Sequence, residues 1–268
     1  MFILLLLLGV FTGILAGLFG LGGGILFTPI LFTLFQSQEM SNPAAWTIGT
    51  SLFCNFIAAG SSSLQQFKKK NIFWKQGLKV GLFGIAGVFI GREIVLSPIY
   101  TETLFVLFFT FLLMVAAFSY FRRGKSQERQ ALNTQPIHFK ESSVTGGAAG
   151  IVAATAGLGG GIVIVPILNL FYKTSIGRAV SISSFAIVVI SFSGWIQYAL
   201  STPESSVNAI SSIGYIDFGA ALPLAAGAFI GGILGVNLNH KVNRTILQYG
   251  FSFTVIIVAI YMLAKQFL

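Results

Sequence analysis

The sequence predicts an all-α polytopic membrane protein with about ten helical segments in two inverted five-segment repeats. The first reason is composition: 55% of the 268 residues are hydrophobic and only 9% are charged. A soluble domain carries about 25% charged residues. The second reason is that the apolar runs are continuous, which favours spanning helices over the alternating strands of a β-barrel. The third reason is an internal repeat.

The longest apolar runs cover residues 103–120, 179–200 and 245–264, and each is long enough to cross a bilayer. The N-terminal stretch MFILLLLLGVFTGILAG is as apolar as the core of a signal peptide, but no Lys or Arg precedes Lys68. A second copy of the sequence that follows it appears later in the chain. We therefore interpret this stretch as a retained helix.

The repeat is visible in two blocks that occur twice in the same order. GLGGGILFTPIL at 20–31 returns as GLGGGIVIVPIL at 157–168, with nine of twelve positions identical, and AGVFIG at 86–91 returns as AGAFIG at 226–231. Ordered blocks of this kind indicate a duplication. They predict a first transmembrane repeat at 1–121, a polar cytoplasmic linker at 122–141 and a second transmembrane repeat at 142–268.

Each repeat contains five predicted helical segments. In the first repeat they are 2–18, 25–36, 44–66, 75–97 and 102–121; in the second they are 142–156, 162–172, 178–200, 215–237 and 243–266. Because five is an odd number, the second repeat enters the membrane in the opposite orientation. The second segment of each repeat is short, so a re-entrant path stays open for it.

The charges predict the orientation. The net charge is +9, and the basic residues concentrate on one side of the predicted topology, which the positive-inside rule assigns to the cytoplasm. Arg92 and Lys265 alone fall on the other side. The expected location is therefore the cytoplasmic (inner) membrane, multi-pass, with both termini and the loop 201–212 outside the cytoplasm. The charge reports topology, and no nucleic-acid partner is predicted.

The glycine turns are the strongest candidate site. Each precedes a short helix, and a glycine-rich turn lets backbone N–H groups approach a ligand at the positive end of a helix dipole. An anion suits this position, and paired broken segments are typical of transporter binding sites. The alternative is that the glycines only allow close helix packing. The predicted glycine ligands are Gly22, Gly23, Gly24, Gly159, Gly160 and Gly161.

Polar side chains early in the third segment of each repeat, and amides further along it, are further candidates. Hydroxyl and amide groups can bind anion oxygens, but they can equally bond to their own helix or to a neighbouring helix. The predicted substrate-binding side chains are Thr50, Ser51, Asn55, Gln66, Ser183, Ser184 and Gln197. Arg92 and Asp217 are candidates for gating or coupling, although an interfacial Arg92 and a helix-end Asp217 are the simpler interpretations.

No motif for nucleophilic, metal or nucleotide chemistry is present, so an enzyme is not expected, and neither a cofactor nor a metal is predicted. The single cysteine, Cys54, lies in an apolar run. The expected partners are a small anionic substrate and membrane lipid, and homo-oligomerisation stays open.

The repeated GLGGGI…PIL blocks, followed by GTSL- or SISSF-type stretches and then AGxFIG blocks, resemble the sulfite exporter TauE/SafE family, also called the toluene sulfonate uptake permease family. The resemblance covers about Leu7 to Ala264. It implies a transporter of sulfite, sulfoacetate or other organosulfonates. Members of this family often have a histidine near the position of Gln197.

These observations favour a secondary transporter of small sulfur-containing anions, acting by alternating access and most simply in export. Two other functions stay open. A passive anion channel would use the same dipoles and hydroxyls, and a non-transporting membrane scaffold would use the glycines for packing alone.

Overall fold

In the computed structural model of the chain, the described residues are 1–19, 22–68, 73–123, 137–203, 211–239 and 244–267. The helices of the first repeat are α1 (Phe2–Phe19), α2 (Gly24–Ser37), α3 (Pro43–Lys68), α4 (Trp74–Val95) and α5 (Glu102–Arg123). Those of the second are α6 (Phe139–Ala156), α7 (Gly161–Pro166, continued by a π-helical turn at Ile167–Phe171), α8 (Ile176–Ala199), α9 (Phe218–Asn239) and α10 (Arg244–Phe267). Most of the predicted linker and of the loop 201–212 lies outside the described residues.

All ten predicted helical segments are present, and the protein is an all-α polytopic membrane protein. Two predicted helix starts differ from the structure by three residues: α6 begins at Phe139 rather than at 142, and residues 215–217 do not begin α9. They belong to an antiparallel hairpin of β1 (Ser212–Ile213) and β2 (Ile216–Asp217). Gly214 allows the tight turn because its φ of 55° lies in the left-handed region. The Asp217 side chain then accepts hydrogen bonds from the N–H groups of Gly219 and Ala220, so the helix begins after it.

The two repeats pack against each other reciprocally. The first helix of each repeat contacts the fourth helix of the other, so α1 lies on α9 and α6 lies on α4. The third helices α3 and α8 contact each other, and so do the fifth helices α5 and α10. Each element therefore has its repeat counterpart in an equivalent contact, as a two-fold relation requires.

The directions of the helices show that the repeats are inverted. In α3 and α8, Leu52 lies against Gly194 and Gln66 bonds to Ser184, so these equivalent helices run antiparallel. An inverted pair of repeats has this property, whereas a pair related by simple translation does not.

Glycine seams hold the reciprocal helix pairs together. The glycines at positions 9, 13 and 17 of α1 each approach the backbone of α9, and Gly227, Gly231 and Gly235 of α9 approach α1 in return. In the other pair, a Cβ on Gly87 of α4 would collide with the backbone of Gly147. Small residues that let two helix backbones touch are the usual packing device in membranes. Many of the 31 glycines therefore serve packing.

By length and composition, four of the described helices can cross a membrane: Phe2–Phe19, Glu102–Ser119, Ile176–Ala199 and Phe218–Leu238. In contrast, α2 has 14 residues and is about 21 Å long at 1.5 Å per residue. It is therefore shorter than a hydrocarbon core of about 30 Å. Its N-terminus lies inside the protein, where the candidate site is found.

Candidate functional site

The site is built on two glycine turns, each at the start of a short helix. Gly22 has a φ of +76° before α2, and Gly159 and Gly160 have φ values of +69° and +84° before α7. L-residues with a side chain rarely adopt these angles. The turns therefore depend on glycine for conformation, unlike the packing glycines of the seams.

The two turns lie in direct contact. A Cβ placed on Gly24 would be 2.5 Å from the Cα of Leu158 and 2.9 Å from Nδ2 of Asn55. A Cβ on Gly22 would be 3.0 Å from Oδ1 of Asn55 and 3.5 Å from the carbonyl oxygen of Leu158. The start of α2 thus touches Leu158, which precedes the helical segment Gly161–Phe171 of the other repeat.

The side chains around the turns are not symmetric. Side-chain atoms of Asn55 in α3 and of Ile187 in α8 lie 3.0 to 3.6 Å from where a Cβ would stand on Gly22 and on Gly159. Ser191, one turn along from Ile187, lies 3.4 Å from the Cβ position of Gly159. We call the place where the two glycine turns meet Asn55, Ile187 and Ser191 the junction. The first repeat supplies an amide to it, and the second supplies a methyl-bearing side chain and a hydroxyl.

The C-terminal end of α6 meets the same junction. A helix leaves its last carbonyl groups without intrahelical partners, and such groups are costly to bury without donors. Here other segments of the chain supply a donor for each of four successive carbonyls. Tyr198 Oη donates to Ala154, Tyr100 Oη to Thr155, Thr28 Oγ1 to Ala156, and both Ser51 Oγ and Asn55 Nδ2 to Gly157, at 2.8, 2.6, 3.2, 2.8 and 2.9 Å respectively.

Replacing Tyr198 with phenylalanine is expected to destabilise the protein by about 1–3 kcal/mol, since the buried Ala154 carbonyl would lose its donor. Thermal unfolding in detergent would measure the loss. Tyr261→Phe is the matched control, because its hydroxyl contacts Thr33 at the exposed surface. An equal effect of both substitutions would contradict the capping role of Tyr198.

The other predicted ligands lie in different surroundings. Thr50 Oγ1 accepts a hydrogen bond of 3.2 Å from the N–H of Asp217. Gln66 Nε2 donates to Ser184 Oγ at 3.0 Å and thereby joins α3 to α8. Ser183 is buried in α8. Gln197 Nε2 donates to Ser193 one turn earlier in the same helix.

The two candidates for gating or coupling do not contact the glycine turns. The Arg92 guanidinium donates from Nε and Nη2 to Ser201 Oγ, at 2.9 and 2.8 Å, and also pairs with Glu93. These contacts lie where α4 and α8 end. Asp217 caps α9, as described above. Both residues therefore have structural partners at the ends of helices.

Sequence reasoning missed three residues of the junction: Thr28, Ile187 and Ser191. Thr28 lies inside the repeated block, where its counterpart at 165 is valine, so a polar difference within the block was an available signal. Ser191 is one of several serines in α8, and only the packing of α8 on the second turn distinguishes it.

A small, partly open cleft borders the first turn. It lies between α1, α2 and α10 and is lined by Thr12, Leu15, Gly22, Gly23, Ile25, Leu26, Thr254 and Val255. Apart from Thr12 and Thr254 its walls are apolar side chains and glycine backbone. Within the described ranges, no group of three or more His, Cys, Asp or Glu side chains is placed to hold a metal ion.

Comparison with known proteins agrees with this architecture. The chain is similar to a probable membrane transporter protein of Methanocaldococcus jannaschii, with 31% identity over 97% of this chain and 94% of the relative. A probable membrane transporter protein of Haemophilus influenzae is also 31% identical, over 98% of this chain and 99% of the relative. The probable membrane transporter protein YunE of Bacillus subtilis is 27% identical, over 92% of both chains.

No solved structure matches the chain. Residues 5–262 match the family described as "Sulfite exporter TauE/SafE", which covers nearly the whole sequence, including both glycine turns and the helices that hold them. The chain therefore belongs to the TauE/SafE family of membrane transporters.

Proposed function

We propose that the protein is a secondary transporter that moves small sulfur-containing anions, such as sulfite or organosulfonates, out of the cell across the cytoplasmic membrane. The observation that carries this proposal is the contact between the two glycine turns. Two helix N-termini begin there, next to buried Asn55. Unpaired N–H groups and the positive ends of helix dipoles favour a negative ligand.

The inverted repeats support transport by alternating access. In transporters of this plan, the substrate site lies at the repeat interface, and one structural element rocks against the other around it. The glycine turns occupy that interface here. In the reciprocal pairs α1·α9 and α4·α6 the two helix backbones are in close contact at glycines. Each pair is therefore suited to move as one rigid unit.

The charge distribution supports the orientation. Arg178 Nη2 donates to Gln76, and the N–H of Phe73 donates to Ser181, so the starts of α4 and α8 lie together at one end of the molecule, which carries Arg178. Arg92 lies at the opposite ends of these two parallel helices. By the positive-inside rule the basic end faces the cytoplasm, which puts both termini outside.

Flux through proteoliposomes tests the proposal. Vesicles loaded with sulfite and containing the protein are expected to release it with a rate that saturates as the internal concentration rises, because each cycle needs a binding event. Release would be followed with a thiol-reactive or enzymatic sulfite assay, against protein-free vesicles of the same lipid. A rate that rises without saturation, together with a macroscopic current, would instead indicate a passive channel. Absence of both flux and anion binding would indicate a scaffold.

A further inference from the structure

The amide of Asn55 has a fixed orientation and one unused atom. Its Nδ2 donates to the carbonyl oxygen of Gly157 at 2.9 Å. A carbonyl can only accept, so the nitrogen must face Gly157 and the oxygen must face away from it. That oxygen, Oδ1, points at Gly22 and accepts no hydrogen bond from any described residue, although Asn55 is completely buried.

A second unused polar atom lies at the same junction. The hydroxyl of Ser191 is completely buried and is likewise without a partner among the described residues. A Cβ built on Gly159 would lie 3.3 Å from Cγ of Asn55 and 3.4 Å from Oγ of Ser191. Asn55 Oδ1 therefore lies against the first glycine turn, and Ser191 Oγ lies against the second. Buried polar atoms normally have partners, so this pair indicates a ligand.

The chemistry of the junction is mixed. Two helix N-termini offer backbone donors and positive potential, which select an anion. Asn55 Oδ1, however, can only accept, and a fully ionised oxyanion has nothing to donate to it. Two oxygen acceptors placed against each other would repel.

We propose that the junction binds an oxyanion in its singly protonated form. The O–H of the ligand donates to Asn55 Oδ1, and its unprotonated oxygens accept from the Ser191 hydroxyl and from backbone N–H groups of the glycine turns. This inference rests on the proposed function and adds to it the protonation state of the substrate. Hydrogen sulfite belongs to this class, whereas the sulfite dianion and the fully ionised sulfonate group do not, so the inference narrows the proposed substrates to sulfite.

A ligand bound in its protonated form would itself carry a transported proton. Asp217 and Arg92 are occupied at helix ends, and among the described side chains the contacts of the two turns are with Asn55, Ser191, Ile187 and other uncharged groups. The proton therefore crosses on the ligand itself: one sulfite dianion and one proton move together as hydrogen sulfite, and no side chain at the junction has to titrate.

Two ligands distinguish the protonated from the unprotonated form. Sulfite titrates between its monoanion and dianion near neutral pH. Methanesulfonate is a monoanion of similar size that carries a methyl group and three unprotonated oxygens, and it has no hydroxyl. Binding to the purified full chain would be measured by isothermal titration calorimetry. Below the second pKa of sulfite, methanesulfonate is expected to bind about tenfold or more weakly than sulfite, because Asn55 Oδ1 would be left without a donor.

The pH series gives an independent reading. Above the second pKa of sulfite, its apparent Kd is expected to rise about tenfold per pH unit, in proportion to the loss of the binding-competent form. The affinity for methanesulfonate, which does not titrate there, is expected to stay constant. That second ligand separates titration of sulfite from any change in the protein.

Ser191→Ala is expected to lower the affinity for both ligands by a similar factor of about three to ten, since it removes one neutral hydrogen-bond donor. The preference for sulfite would remain. Ser62→Ala is the matched control: this buried α3 serine already bonds to the carbonyl of Ala58 in its own helix, so both affinities should be unchanged.

The outcomes separate this inference from the proposed function. Equal affinity for the two ligands, or sulfite affinity that is constant or rises with pH, would overturn the protonated-ligand assignment while leaving anion binding intact. A bound water that donates to Asn55 would produce this result. Failure of both ligands to bind at every pH would overturn the inference and the proposed substrate class together.

Discussion

Replacing Gly24 with alanine is expected to force the two glycine turns apart. The added Cβ would collide with the carbonyl of Gly157 and lie 2.5 Å from the Cα of Leu158. Both are backbone atoms, which cannot rotate away as a side chain can. Overpacking of this kind costs about 1–3 kcal/mol. A lower melting temperature in detergent and loss of sulfite binding by calorimetry are the expected results.

Gly147→Ala is the matched control for that substitution. A Cβ at this position in α6 would meet nothing within 4 Å, and alanine is favoured over glycine inside a helix by about 0.5–1 kcal/mol. The control is therefore expected to be neutral or slightly stabilising, with unchanged binding. If Gly24→Ala had the same stability and binding as this control, the inferred close contact between the two turns would be contradicted.

Replacing Asn55 with leucine is expected to have the largest effect on ligand binding. Leucine keeps the branching at Cγ but is larger, and it can neither donate to Gly157 nor accept through Oδ1. The loss of a donor to a buried carbonyl costs about 1–3 kcal/mol, although Ser51 continues to donate to the same oxygen. We expect sulfite binding to fall below detection by calorimetry while the protein remains folded.

Asn237→Leu is the control for loss of an amide as such. Its Oδ1 accepts from Gln65 Nε2 at 2.8 Å, and this pair joins α9 to α3 away from the glycine turns. The substitution is expected to reduce stability modestly and to leave anion affinity unchanged. Retention of full sulfite affinity in Asn55→Leu would remove Asn55 from the site, and the proposed position of the ligand with it.

Much of the fold could be predicted because the bilayer imposes simple requirements. Backbone groups in hydrocarbon must be hydrogen-bonded within the protein, in helices or closed barrels, and long apolar runs without alternation, such as 103–120, favour helices. The duplicated blocks and the odd number of segments then predicted the inversion that the antiparallel α3 and α8 display. The hairpin before α9 was missed because its two strands have only two residues each, which is too short to give a period.

The candidate site was only partly predictable. The glycine turns were identified from their repetition, and Ser51 and Asn55 from their polarity in an apolar helix. That both side chains donate to Gly157 could not be foreseen, because that carbonyl belongs to the other repeat, 102 residues beyond Asn55. The hydrogen bond from Thr28 to the end of α6 could not be foreseen either, because the Ala156 carbonyl also belongs to the other repeat.

The sequence by itself determined the class of protein and the duplication, because these depend on composition and on blocks that recur in the same order. The tertiary structure alone decided which polar atoms are already bonded and which are left over. Ser51 and Asn55 Nδ2 are used to cap α6, whereas Asn55 Oδ1 and Ser191 remain at the junction. Hydrogen-bond partners are set by contacts between distant segments, and a local pattern of residue types does not record those contacts.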